Sequence, residues 1–243
     1  MGSQDLKTTI DFIHQRTAQK VAMMGYSMGT TQIFAALASN YEFFKDRVYK
    51  VIQQAPCTIT AESMWTGLNF ATVPLINSLG IYDIGGPDWY EVEEKLRDTV
   101  GLQHTQDFLL GGWGTRLTNI SLRAFDHYAQ NAKENRFQVW SDSYWKLRNP
   151  EKQTELYDLS VITETPFGLF FGANDDTCLP AQTEITRQEM GDMVTAFKSY
   201  PGVGHGDFIL MNTPEYIADL LAFLAPSPAH EAEESNTAKP FLQ

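Results

Sequence analysis

Ser27 sits in Gly25-Tyr26-Ser27-Met28-Gly29, a G-x-S-x-G pattern placed between an apolar run at residues 20–24 and a small, apolar stretch at 30–40. The run reads as a buried strand and the stretch as a helix packed on a sheet, so the serine falls where strand turns into helix. Glycines flank it because the backbone approaches itself closely in such an elbow. The turn lifts the hydroxyl to a helix N-terminus, where the helix dipole and the Met28 N–H can hold a developing oxyanion. The chemistry this suits is nucleophilic attack on an acyl group. A serine hydroxyl is a poor nucleophile without a base, and the base needs an acid to fix its tautomer. In a strand–helix alternation of this kind the partners follow in the order serine, acid, histidine, at the ends of later strands. Asp175 follows the apolar run at 167–171, and His205 follows the run at 194–200, within Gly202-Val203-Gly204-His205-Gly206-Asp207-Phe208. Asp176 is a direct competitor for the acid's place. His14, on a helix, His104 and His127, in the middle of the chain, and His230, near the C-terminus, read as packed or solvated.

The elements that must position these groups fall into three blocks. A helix is expected over about 4–18, then strand 20–24, helix 30–40 and strand 48–54 closed by Ala55-Pro56, a parallel βαβ unit. From 58 to 160 the rhythm is lost. Short apolar segments, five tryptophans (Trp65, Trp89, Trp113, Trp140, Trp145) and glycine turns read as a mostly helical insertion. It would either form an apolar channel under a lid or pack on its own core. The rhythm resumes with strand 167–171, helix 180–190 and strand 194–200. Thr213-Pro214 then starts a last helix, running to about 224. The expected organisation is 1–57 core, 58–160 helical cap, 161–225 core, and 226–243 a tail too rich in Pro, Ala, Ser and Glu to order.

Composition excludes some functions. The 243 residues carry a net charge of −12 without a basic run, which argues against nucleic acid and against docking on anionic membranes. No apolar leader opens the sequence and no stretch of 18 apolar residues follows, so neither a signal peptide nor a transmembrane segment is expected. Asn119-Ile120-Ser121 fits a glycosylation acceptor, a triplet that arises often by chance. Cys57 and Cys178 are the only cysteines. Two buried free thiols are the expected state, with a disulfide as the alternative, and neither has neighbours that suggest a metal.

These residues resemble the acid lipases, the family of gastric and lysosomal acid lipase. Gly25-Tyr26-Ser27-Met28-Gly29-Thr30-Thr31 is similar to the family's G-H-S-Q-G-T-T, departing at Tyr26 and Met28. Ala55-Pro56 resembles its A-P. Gly172-Ala173-Asn174-Asp175 resembles its G-G-N-D, and Gly204-His205-Gly206-Asp207-Phe208-Ile209 its N-H-L-D-F-I. Residues 131–140 and Tyr157-Asp158-Leu159 resemble the exit of its cap. The resemblance implies a partial α/β-hydrolase fold, a parallel sheet flanked by helices with a mostly helical cap. It implies hydrolysis of lipid carboxylic esters, acylglycerols or sterol esters, by Ser27, His205 and Asp175 with Met28 as an oxyanion donor. No metal or organic cofactor is implied, and the setting would be lysosomal or secreted. The family's earlier strands, with the H-G loop that supplies a second oxyanion donor, precede the part matched here, and a partner chain could supply them. Cysteines that the resembling enzymes pair in the cap are missing, so packing alone is expected to hold the cap. The alternative is a weak or inactive hydrolase-fold subunit with a structural role. Another serine acyltransferase or peptidase on the same fold is also compatible with the triad.

Overall fold

The apolar run ahead of the G-x-S-x-G pattern forms strand β1 (Val21–Tyr26), and the small-residue stretch forms helix α2 (Met28–Phe44), preceded by α1 (Gly2–Thr17). The computed structural model describes residues 2–60, 83–84, 120–141, 154–210 and 214–225. Outside them lie the tail at 226–243, the Thr213 cap, Asn119, His104, His230 and four of the tryptophans, Trp65, Trp89, Trp113 and Trp145. The chain divides into two units, one of Met1–Thr58 with Tyr157–Gln243, the other Ile59–Leu156.

In the first unit β1 is followed by β2 (Val48–Gln54), β5 (Phe167–Gly172) and β6 (Val194–Tyr200), which form one parallel sheet in the order β1-β2-β5-β6. Strand β5, FGLFFG, is buried along its whole length. A strand covered on both faces has no reason to alternate apolar with polar residues. On one face of the strand, the Phe167 ring stacks on Phe34 of α2 at 5.7 Å. Its even positions face the last helix, α6 (Pro214–Leu224), where Phe170 meets Tyr216 and Phe223 edge-on. Ile52, Ala55, Tyr200 and Phe208 complete this second cluster. Helix α4 (Pro180–Met190) follows β5, and a single turn, α5 (Asp207–Leu210), follows β6. Helix α2 runs four residues past the expected end, and Asn40, where the apolar stretch stops, is the non-helical kink within it.

In the second unit, β3 (Asp83–Ile84) pairs antiparallel with β4 (Ile120–Ser121). Helix α3 (Leu122–Glu134) starts at Ser121, whose side chain accepts the Arg123 N–H, and ends at Asn135 in the left-handed conformation. The chain then returns alongside α3. Gln138, fully buried, donates its backbone N–H to Asn131 Oδ1 and its Nε2–H to the Gln130 carbonyl. Trp140 Nε1–H reaches Asp126 Oδ2 at 2.8 Å. His127 Nε2 lies 2.6 Å from the Gln138 carbonyl, so its ring takes a structural hydrogen bond as expected.

One expectation is overturned. Cys57 and Cys178 are joined in a disulfide, with their Cα atoms 5.0 Å apart. They are 121 residues apart in sequence, so nothing local announces the pairing. The sheet brings them together, because β2 and β5 are neighbours and each cysteine lies a few residues past the end of its strand. Both belong to the first unit, so the bond braces the sheet's carboxyl edge. Closing a loop of this length restricts the unfolded chain strongly. Replacing both cysteines with alanine is expected to lower unfolding stability by about 2–5 kcal/mol in urea titration, with reductant having a similar effect on the native chain and none on the double variant.

Candidate active site

The elbow begins with a close approach. A Cβ on Gly25 would lie 2.8 Å from the Gly29 carbonyl carbon and 2.9 Å from Ile33 Cδ1, so only glycine fits. At Gly29 itself a Cβ would meet nothing within 4 Å. The close approach therefore accounts for the first glycine of the pattern and not the second. Between them Ser27 takes φ 52°, ψ −117°, a conformation costing about 1–3 kcal/mol that the surrounding bonds must enforce. The Ser27 N–H is held by the Gln54 carbonyl at 3.0 Å, and its carbonyl accepts the Thr30 N–H and hydroxyl. Serine at a helix start ordinarily turns its hydroxyl onto the helix N–H groups. Here it makes no such cap, which leaves the hydroxyl for another partner.

That partner is His205. Ser27 Oγ lies 2.7 Å from Nε2, and Nδ1 of the same ring lies 2.9 Å from Asp175 Oδ2. Asp175, 3 % exposed, is the buried member of its pair, whereas Asp176 is exposed and meets only the Thr177 hydroxyl. A buried carboxylate must be hydrogen-bonded to be tolerated. The other oxygen of Asp175 accepts the N–H groups of Thr177 and Cys178, at 2.9 and 2.7 Å. The structure thus joins Ser27, Asp175 and His205 and leaves Asp176 out. Met28 opens α2, so its N–H has no acceptor within the helix and stands beside the serine. Asp175, Cys178 and His205 also lie close enough for a metal ion. Yet the Cys178 sulfur is bonded to Cys57, and both His205 nitrogens are engaged.

Several supports were not singled out from the sequence. The acid and histidine loops are stitched together: Asn174 N–H donates to the Val203 carbonyl at 3.0 Å, and Asn174 Oδ1 accepts the Gly202 N–H at 3.1 Å. They touch so closely that a Cβ on Gly172 would lie 2.2 Å from the Val203 oxygen. Asp207 Oδ2 accepts the Gly204 N–H at 2.7 Å and so closes the histidine turn. Thr30 Oγ1 also accepts the Cys57 N–H at 2.9 Å, while the Thr31 hydroxyl donates to the Cys57 carbonyl. A continuous path then runs from the elbow through Thr30, the disulfide and the Cys178 N–H to Asp175. The disulfide alone could have been suspected, from there being just two cysteines.

No protein-family model matches the chain. Over 89% of its length it is 25% identical to the gastric triacylglycerol lipase of Mus musculus. It spans about three fifths of the length of the lipases it matches. Among solved structures it is similar to a soluble variant of monoglyceride lipase from Saccharomyces cerevisiae, with TM-score 0.52 and 18% identity over 98% of this chain and 70% of that one. It is also similar to MGS-M2, an alpha/beta hydrolase enzyme from a Medee basin deep-sea metagenome library, with TM-score 0.50 and 13% identity over 91% of this chain and 71% of that one. The chain has a partial α/β-hydrolase fold. Its likeness to the gastric lipases is the one that the motifs implied, and in an α/β-hydrolase the crevice past the strands' carboxyl ends is where ligands bind.

The glycine geometry separates two substitutions that the motif alone would treat alike. Gly25→Ala is expected to cost about 1–3 kcal/mol, because backbone and the Ile33 side chain must move apart. Gly29→Ala should stay within about 0.5 kcal/mol of the native chain or stabilise it slightly. Urea titration of the two variants checks both.

Proposed function

We propose that the chain carries the catalytic triad of a serine hydrolase acting on lipid carboxylic esters, with acylglycerols or sterol esters as the substrate class. The observation that carries this reading is the unbroken relay from Ser27 Oγ through the His205 ring to the buried Asp175 carboxylate. The substrate class rests on the likeness to gastric lipases. The apolar Met28 side chain, 36% exposed next to the nucleophile, is compatible with an acyl chain lying there.

In the first half-reaction His205 Nε2 takes the Ser27 proton as Oγ attacks the ester carbonyl. The tetrahedral oxyanion would be met by the Met28 N–H. His205, now charged and steadied by Asp175, returns the proton to the departing alkoxide, leaving an acyl-serine and a free alcohol. In the second half-reaction His205 deprotonates water, which attacks the acyl-serine. Collapse releases the carboxylic acid and restores the serine hydroxyl. One oxyanion donor is identified among the described residues, and a missing second donor would cost on the order of 10²–10³ in rate.

Hydrolysis of p-nitrophenyl butyrate by the folded chain, beside Ser27→Ala, tests the reading. The variant is expected to lose at least about 10³-fold in kcat, and Asp175→Asn about 10³–10⁴-fold. Asp176→Asn should change kcat by less than about twofold, since its carboxylate is exposed and outside the relay. A fluorophosphonate probe should label Ser27. A folded chain whose slow turnover is unchanged in Ser27→Ala, and which does not label, would favour the structural-subunit alternative.

A further inference from the structure

Tyr26, the residue between the first glycine and the serine of the elbow, does something that its motif position does not announce. Its hydroxyl donates to the main-chain carbonyl of His205 at 2.8 Å, a bond between residues 179 apart. Its ring lies against the imidazole, centroids 5.4 Å apart and planes tilted by 32°. The sheet explains why such a bond matters. His205 leaves from β6, at one edge of the four strands, and Ser27 leaves from β1, at the other. The loop bearing His205 must therefore lean back over the ends of β5 and β2. Asn174 and Asp207 hold that loop from the β5 side and from its own turn. Tyr26 holds it from the serine's side, at the histidine itself.

We propose that Tyr26 is a positioning residue for the triad: its O–H anchors the His205 backbone, and its ring fixes the tilt of the imidazole, so that Nε2 meets Ser27 while Nδ1 stays on Asp175. Because Tyr26 and Ser27 are consecutive, nucleophile and base are referenced to the same turn of backbone. Motion of the histidine loop relative to the elbow is then resisted where it would lengthen the Oγ–Nε2 distance. The phenol is suited to a permanent donor. Burial, and then the negative charges of Asp175 and Asp207, push its pKa up to about 12, so it keeps its proton wherever the protein would be assayed. The proposal rests on the triad reading above.

Tyr26→Phe removes the donor and keeps the ring, and Tyr26→Leu removes both. With active sites counted by fluorophosphonate titration of Ser27, Tyr26→Phe is expected to lower kcat for p-nitrophenyl butyrate about 3- to 20-fold with KM changed by less than about twofold. Tyr26→Leu should lower it further. A purely structural tyrosine would instead reduce the number of titratable sites and leave kcat per site intact, and that result would overturn the proposal. A second readout does not need turnover. The His205 Nδ1–H proton shared with Asp175 gives a low-field proton resonance, assigned by its loss in His205→Asn. Its exchange with water should quicken several-fold in Tyr26→Phe, and an unchanged exchange rate would count against an anchoring role. If the native chain and Ser27→Ala are equally inactive, the hydrolase reading fails by itself, and the exchange measurement alone decides whether Tyr26 holds His205.

Discussion

Ser27 and His205 leave the four-stranded sheet from opposite edges, and closing that gap is the constraint on which the candidate site depends. Strands in a sheet are spaced by about 4.8 Å, so the ends of β1 and β6 are on the order of 14 Å apart. A serine and a histidine on straight strand ends could not touch across that distance. Strand β2, next to β1 in the sheet, turns away through Ala55 and Pro56, with Ala55 in the left-handed region. The acid loop rises from β5 midway, and the histidine loop folds back over it. The absent side chain at Gly172 lets the second loop settle onto the first, and Asn174 pins it there.

This arrangement also disposes of the site's most expensive group. Asp175 brings a carboxylate into a place with almost no solvent, and its two oxygens receive one imidazole and two backbone N–H groups. One of those N–H groups belongs to Cys178, which is covalently tied to Cys57. Cys57 in turn is held to α2 by Thr30 and Thr31, the residues just inside the helix that begins at the nucleophile. Elbow and acid are therefore joined by a path independent of the histidine. A hydrogen-bonded frame of this kind suits the proposed acyl transfer, whose barrier falls largely through pre-arranged geometry and dipoles.

Much of this was legible in the sequence, for physical reasons that differ from residue to residue. Ser27, Asp175 and His205 could be found because each follows an apolar run that can only be a buried strand, and loops after parallel strands share one end of a sheet. The parallel sheet itself followed from the same alternation. Asp175 is preferred over Asp176 from its place in Gly172-Ala173-Asn174-Asp175, and the structure adds the reason, Asp175 being buried against His205 and Asp176 exposed. The disulfide was only the alternative because composition speaks for buried thiols, and only strand order places residues 57 and 178 together. Tyr26 stood out as a departure from the acid-lipase pattern, yet its partner lies 179 residues away, beyond any local spacing rule. The need for glycine at 25, and the freedom at 29, likewise depend on where one particular Cβ would point.

Among the described residues β1 is paired on one side only, with β2. Every bond found to hold the triad comes from that paired side or from the loops above it: Gln54 on the Ser27 N–H, Cys57 on Thr30, Cys178 on Asp175, Asn174 and Tyr26 on the histidine loop. None of them draws on the other edge of β1. On the proposed reading, the geometry of proton transfer and the completeness of the oxyanion hole are therefore separable. The first is built by β1, β2, β5 and β6 with their loops. On the proposed reading, the second also needs a donor facing the Met28 N–H across the reacting carbonyl.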